Sequence, residues 1–210
     1  MAYDDSGCMA AARAWWMLRN AGVQSVYLLD GGLAAWRAAG YRLEAGEVST
    51  GVGSVSFGDG HMPSITEQEA ALWSRGGVLL DARAAERFRG EVEPIDPRAG
   101  HIPGAVSAPT TENVSPAGSF LPAEELRRRF AALGLDASSN VAVYCGSGVT
   151  ASHEIAALEI AGYNAALYPG SFSQWSNNAA NEVVVGDAPF EAGAGGPSSM
   201  SPADGSSVEA

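Results

Sequence analysis

The sequence has no lysine. Its cations are twelve arginines, set against twenty-four acids for a net charge of −12. Such a balance gives no basic face for nucleic acid or for an anionic membrane surface, so any anion must be recognised locally by one or two arginines. Cysteine is scarce: Cys8 and Cys145 are the only two, which suggests neither a disulfide framework nor a thiolate metal centre. No metal or other cofactor is expected. No apolar run approaches the length of a membrane span. The opening Met1-Ala2-Tyr3-Asp4-Asp5 is acidic and unlike a secretory leader, so a cytoplasmic, reducing location is expected. What the chain does hold is 46% hydrophobic residues over 210 positions, enough for one or two domains.

The most informative stretch runs over residues 141–151. Val141-Ala142-Val143-Tyr144 is an apolar run that suits a strand covered on both faces. Cys145-Gly146-Ser147-Gly148 follows as a loop whose two glycines let backbone N–H groups turn toward one point. Residues 149–161 then have a helical composition, with Gly162 as the cap. A cysteine between a strand and a helix N-terminus is placed where a thiolate is favoured, the form that acts as nucleophile. The alternative is a plain buried core cysteine.

Residues 9–21 read as a helix capped by Gly22, 25–29 as a short β-rich segment, and 33–39 as a helix ending at Gly40. Residues 41–61 are rich in glycine and lack a period, so they read as a linker. Thr66 and Glu69 form a capping box that opens a helix over Glu67–Trp73. A strand over 78–80 ends at Asp81. Then come a helix over 83–88, a proline-bearing loop over 91–100, a strand over Ala105–Ser107 and a helix over 122–133. After the central stretch, 165–168 is a strand and 172–175 begins a last helix. Strands alternating with helices predict an α/β fold with a parallel sheet flanked by helices, active loops lying at the strands' carboxyl ends. Residues 187–210, made of Gly, Pro, Ser and Ala with scattered acids, are expected to be a disordered tail.

Cys145-Gly146-Ser147-Gly148-Val149-Thr150 resembles the active-site loop of the rhodanese superfamily, above all its two-domain 3-mercaptopyruvate and thiosulfate sulfurtransferases. Asp81-Ala82-Arg83 with Glu86-Arg87-Phe88-Arg89-Gly90, and Gly100-His101-Ile102-Pro103-Gly104-Ala105, agree in family order. The resemblance covers roughly residues 60–185. It implies a rhodanese-like domain over 63–186 and a persulfide carried on Cys145. The donor implied is a small sulfur-bearing anion. The acceptor implied is a thiol, such as a thioredoxin-like protein or a small thiol.

An internal repeat stands ahead of that domain. Tyr3-Asp4-Asp5-Ser6-Gly7 matches Tyr144-Cys145-Gly146-Ser147-Gly148, an offset of 141 residues. The run from Leu29 to Trp36 matches Tyr168 to Trp175, an offset of 139. The first copy carries Asp4 where the second carries Cys145. Since an aspartate cannot hold a sulfane sulfur, that copy is expected to be silent. Residues 1–42 thus read as the back half of an inactive rhodanese-like domain, with 43–62 as linker. The first domain is expected to be truncated, and its helix with Trp15, Trp16, Met17 and Leu18 is expected to expose large side chains and pack imperfectly or self-associate.

By the resemblance, Cys145 is the nucleophile and Ser147 acts beside it. Gly146, Gly148, Val149 and Thr150 supply the loop backbone, and Arg87 binds the anionic donor. The mercaptopyruvate enzymes carry a second arginine soon after a Glu-Pro pair. Here Glu93-Pro94 is followed by Ile95-Asp96, so Arg98 is a weak candidate at a departed spacing. The family's Asp and His that position the serine would lie ahead of the repeat. His101 reads as a structural hydrogen-bonder, His153 as packed or solvent-facing, and Asp81 with Arg83 as a brace. Two rivals remain. A cysteine phosphatase needs an arginine six residues after its cysteine, where this chain has Ala151. A non-enzymatic binding module would keep the fold and lack turnover.

Overall fold

The computed structural model describes residues 1–49 and 51–187. In chain order its elements are α1 (Ala11–Asn20), α2 (Gly32–Ala38), α3 (Glu67–Trp73), β1 (Val78–Asp81), α4 (Ala85–Phe88), β2 (Ala105–Ser107), α5 (Ala123–Ala132), β3 (Val141–Tyr144), α6 (Val149–Ala161), β4 (Ala165–Leu167) and α7 (Ser171–Asn177). A 3-10 turn over Thr110–Asn113 carries no signal in the sequence pattern.

The strands form one parallel sheet in the order β2-β1-β3-β4. All four β3 residues are buried, as a strand covered on both faces requires. The period of two divides the core cleanly. Leu80, Val141, Val143 and Leu167 face α1, α5 and α6, whereas Leu79, Ala142, Tyr144 and Ala166 pack with Phe88, Phe172 and Trp175. The capping box forms as the sequence predicts. Thr66 Oγ1 accepts from Glu69 N at 3.3 Å, and Thr66 N donates to Glu69 Oε2 at 2.7 Å.

The first copy reproduces the skeleton of the second. Ala2 bridges Leu28 in parallel, as Val143 pairs Leu167. Leu29 N donates to Ala2 O at 3.0 Å, and Tyr168 N to Val143 O at 2.9 Å. Leu33 N donates to Asp4 O at 3.1 Å, and Phe172 N to Cys145 O at 2.9 Å. Residues 25–29 nevertheless form only this single bridge, not a strand. The isolated pair has no third neighbour to extend the ladder.

The expected exposure of α1 holds only in part. Trp15 and Trp16 are 6% and 4% exposed, buried in the same core as Ile155 and Ala156 of α6. Helix α6 is apolar or buried on nearly every side, so it accepts α1 on one flank and α5 on the other. Met17 and Tyr27 do remain exposed.

Residues 41–61 carry no helix or strand among those described. They return to the end of α1, where Gly58 N donates to Ala21 O and His61 N to Asn20 O. Among the described residues no helix is long and apolar enough to cross a membrane. The expected tail begins at Asp187, and 188–210 lie outside the described residues.

Candidate active site

Cys145 follows the last residue of β3 directly and is 2% exposed. Gly148 takes φ +75° as it turns the chain into α6, and a Cβ there would stand 2.7 Å from Pro169 O. Both the left-handed backbone and the crowding demand glycine. Ser147 is exposed, Gly146 and Thr150 are partly so, and Val149 opens the helix with its side chain outward.

The loop is held from behind by the β4–α7 turn. Cys145 N donates to Ser171 Oγ at 3.1 Å, Ser171 Oγ donates to Tyr168 O at 2.9 Å, and Ser173 N donates to Gly146 O at 2.9 Å. Ser171 sits at φ +52°, a strained position for a non-glycine residue. Sequence reasoning missed Ser171. The signal was its match to Gly32, whose φ is +58°.

The amides of Gly146, Ser147, Gly148, Val149 and Thr150 have no hydrogen-bond partner among the described residues. The first copy shows what such a loop can hold. There the Asp4 carboxylate accepts from the amides of Ser6, Cys8, Ala10 and Ala11, each at 2.9 Å. Burial acts to raise the Asp4 pKa, but these four backbone donors outweigh it and hold the carboxyl below its ordinary range. The same loop plan thus presents donors to a fixed carboxylate in one copy and to a cysteine position in the other. Cys8 is an inert contrast. Burial first, then Asp4 and Asp30, push its thiol up to about 11, and its Sγ donates to Leu29 O at 3.2 Å.

Arg87 lies over the Cys145 loop, since a Cβ on Gly146 would stand 3.6 Å from its Nη1. Nη2 donates to Glu93 Oε1 at 2.6 Å and to Asp96 Oδ2 at 3.1 Å. Glu93 also accepts from Arg83 Nη1 at 3.3 Å. Burial acts to raise the Glu93 carboxyl, but Arg87 and two backbone amides bring it below its ordinary value.

Arg83, nearly sealed from solvent, closes a fork onto Asp81 with Nη2–Oδ2 at 2.6 Å, and Nη2 also donates to Gly100 O at 2.7 Å. Its guanidinium carbon lies 3.8 Å from the Phe172 ring centroid. Burial acts against its charge, but Asp81 above all raises its pKa. Asp81, Arg83, Glu93, Arg87 and Asp96 therefore form one chain of charge from the end of β1 to the loop. Three carboxylates face two guanidinium groups in it, so it brings no net positive charge to Cys145.

The guanidinium of Arg98 is taken up by backbone carbonyls. Its nitrogens donate to the carbonyls of Trp175, Ser176, Asn178 and Asn181 at 2.7–3.1 Å. The proline-bearing loop thereby ties down the end of α7. His101 Nδ1 lies 2.8 Å from Phe88 O and its ring stacks on Phe88 at 3.6 Å, a structural role. His153 is fully buried, with Nδ1 2.7 Å from Thr110 Oγ1 and its ring stacked on Phe120.

The model of the rhodanese-like domain matches residues 1–39 and 64–178. The chain belongs to the rhodanese family. Its rhodanese match falls in two segments, which agrees with the paired hydrogen bonds of the two copies. Among curated relatives, the "Probable 3-mercaptopyruvate sulfurtransferase" of Pseudomonas aeruginosa is 50% identical over 192 residues, covering 88% of this chain and 67% of that protein. A Mycobacterium tuberculosis protein that carries the name thiosulfate sulfurtransferase is 45% identical over 192 residues, covering 89% and 66%. The solved 3-mercaptopyruvate sulfurtransferase of Escherichia coli superposes with a TM-score of 0.71 at 37% identity, covering 80% of this chain and 64% of that one. The chain spans about two thirds of the length of the curated relatives it matches.

Proposed function

We propose that this rhodanese is a sulfurtransferase that carries sulfur on Cys145. The observation that carries the reading is the set of loop amides without a partner around a cysteine, where the sister loop turns its own amides of Ser6, Cys8, Ala10 and Ala11 onto an aspartate. A thiolate, and then a persulfide, is the charge those donors suit.

In the first half-reaction the Cys145 thiolate attacks the outer sulfur of the donor, forming an S–S bond. With mercaptopyruvate the C–S bond breaks, and pyruvate leaves as its enolate and takes up a proton. With thiosulfate the S–S bond breaks and sulfite leaves. In the second half-reaction a thiol acceptor attacks the outer sulfur and departs as a persulfide, returning the Cys145 thiolate. Arg87 would orient the anionic donor over Gly146, and exposed Ser147 would hydrogen-bond its polar group. The relatives' names favour mercaptopyruvate or thiosulfate as donor. A reducing compartment such as the cytoplasm suits two free thiols.

Intact mass of the chain before and after each donor tests this. The expected result is a gain of about 32 Da that is absent in Cys145→Ser. No gain with either donor in a folded sample would favour a binding module that keeps the fold without turnover.

A further inference from the structure

Arg87 is the guanidinium placed to meet a donor over the Cys145 loop, since Arg83 is sealed from solvent and Arg98 is taken up by carbonyls. A guanidinium has five N–H groups in a fixed fork, so the partner of each can be counted. Arg87 Nε donates to Glu93 Oε2 at 3.2 Å and Nη2 donates to Glu93 Oε1 at 2.6 Å, which fills the lateral edge of the fork. The second hydrogen of Nη2 goes to Asp96 Oδ2 at 3.1 Å. The two hydrogens of Nη1 have no protein partner among the described residues. Nη1 is also the nitrogen nearer the loop, at 3.6 Å from a Cβ on Gly146 against 3.9 Å for Nη2.

That count decides what can dock. A planar carboxylate is held best by two parallel N–H groups, either from Nε and Nη2 or from Nη1 and Nη2. Glu93 fills the first pair, and Asp96 fills half of the second, so an incoming carboxylate meets Nη1 alone. A tetrahedral sulfur oxyanion needs no planar match. Its oxygens point in different directions, so one on Nη1 leaves the others for the unpartnered loop amides. Asp96 is built to hold this arrangement. Its side chain is 3% exposed, so water competes little for its oxygens, and its carboxylate accepts from Arg87 and from no other described residue. The turn that carries it is fixed separately by Glu93 Oε1, which accepts from Ile95 N at 3.1 Å and Asp96 N at 3.0 Å.

We propose that Asp96 is a specificity residue of the sulfur-transfer site. By occupying the second Nη2 hydrogen it closes the end-on fork of Arg87. Selection turns toward donors whose anionic group is a tetrahedral sulfur oxyanion, such as thiosulfate, and away from those bearing a planar carboxylate, such as mercaptopyruvate. The proposal rests on the sulfur-transfer reading for its donors, but the choice between anions can be read without turnover.

The test compares the full wild-type chain with Asp96→Ala, which frees the hydrogen, and Asp96→Asn, which removes the same charge but keeps an oxygen to accept it. Charge alone works against the expected direction, since losing a carboxylate favours the thiosulfate dianion over the mercaptopyruvate monoanion. With a small dithiol as acceptor, kcat/KM for mercaptopyruvate relative to thiosulfate should rise about tenfold in Asp96→Ala, the scale of one charge-assisted hydrogen bond. The change should lie in KM more than in kcat. In Asp96→Asn the ratio should stay level or fall. Without turnover, protection of Cys145 from iodoacetamide by pyruvate relative to sulfate, read by mass spectrometry on the Cys145 peptide, should improve in Asp96→Ala by a similar factor. Should Asp96→Ala fold poorly, Asp96→Val removes the acceptor while keeping more of the volume, and gives the same reading. A ratio that is unchanged in a folded Asp96→Ala or Asp96→Val, that moves toward thiosulfate and sulfate, or that rises equally in Asp96→Asn overturns the proposal. The expected shift in protection, in a chain that gains no sulfur from either donor, would keep the Asp96 assignment and overturn the sulfur-transfer reading instead.

Discussion

Asp4 and Cys145 stand at one position in two copies of a single loop, and what differs is what satisfies the backbone around them. Asp4 accepts four amide hydrogen bonds from its own loop. Cys145 leaves five amides of its loop without a protein partner among the described residues.

Cys145→Asp should convert the second loop toward the first. The variant should lose all sulfur uptake by intact mass. It should nevertheless unfold at a higher urea concentration than Cys145→Ala, by about 1–3 kcal/mol for the new backbone bonds. A Cys145→Asp chain less stable than Cys145→Ala would show that the loop amides do not converge on that position.

Asp4→Asn should remove a charged acceptor from four backbone donors and cost about 1–3 kcal/mol at neutral pH, read by urea unfolding. Because the folded carboxyl titrates below its ordinary value, its contribution is present above the unfolded pKa. It is lost as pH falls through the folded one. Wild type and Asp4→Asn should therefore differ most at neutral pH and draw together in acid below the ordinary carboxylate range. A gap that persists there would assign the loss to shape, not charge.

Arg83→Met should be the most damaging single change in the charge chain. It leaves Asp81, which is fully buried, without its fork. Breaking one side of such a pair costs about 3–5 kcal/mol. Adding Asp81→Asn to Arg83→Met should recover part of that loss in equilibrium unfolding, since no uncompensated charge then remains at the end of β1.

His153 and Glu154, adjacent on α6, should oppose each other in the pH dependence of stability. Burial, set against Gly7 and Asp4, brings His153 down to about 4 from 6.5. The unfolded chain therefore takes up that proton first, and stability is lost as pH falls through this window. Burial brings Glu154 up to about 7 from 4.5, against Arg129, Thr110 and Asn113. The folded chain takes up that proton first, and stability is gained as pH falls from about 7 to 4.5. Wild type should be nearly flat where the windows overlap. His153→Leu should gain stability on acidification from neutral pH, whereas Glu154→Gln should lose it, each with a slope up to about 1.4 kcal/mol per pH unit. Parallel curves for both variants in urea titrations across pH would refute the opposition.

The sequence by itself determined the features that depend on short-range chemistry. The apolar run before Cys145, the glycine at φ +75° that opens α6, and the Thr66–Glu69 box are each set by residues a few positions apart, and they stand where the pattern put them. The duplication was legible too, because paired positions keep their spacing. Only the tertiary structure decided which charges meet. The sequence could not show that Glu93 would join Arg83 to Arg87, or that Arg98 would tie four carbonyls near the end of α7. Nor could it show that Trp15 and Trp16 would find cover on α6 in place of a sheet. Those outcomes depend on which distant surfaces come into contact, and a helix buries its apolar stripe against whatever apolar face packing brings to it.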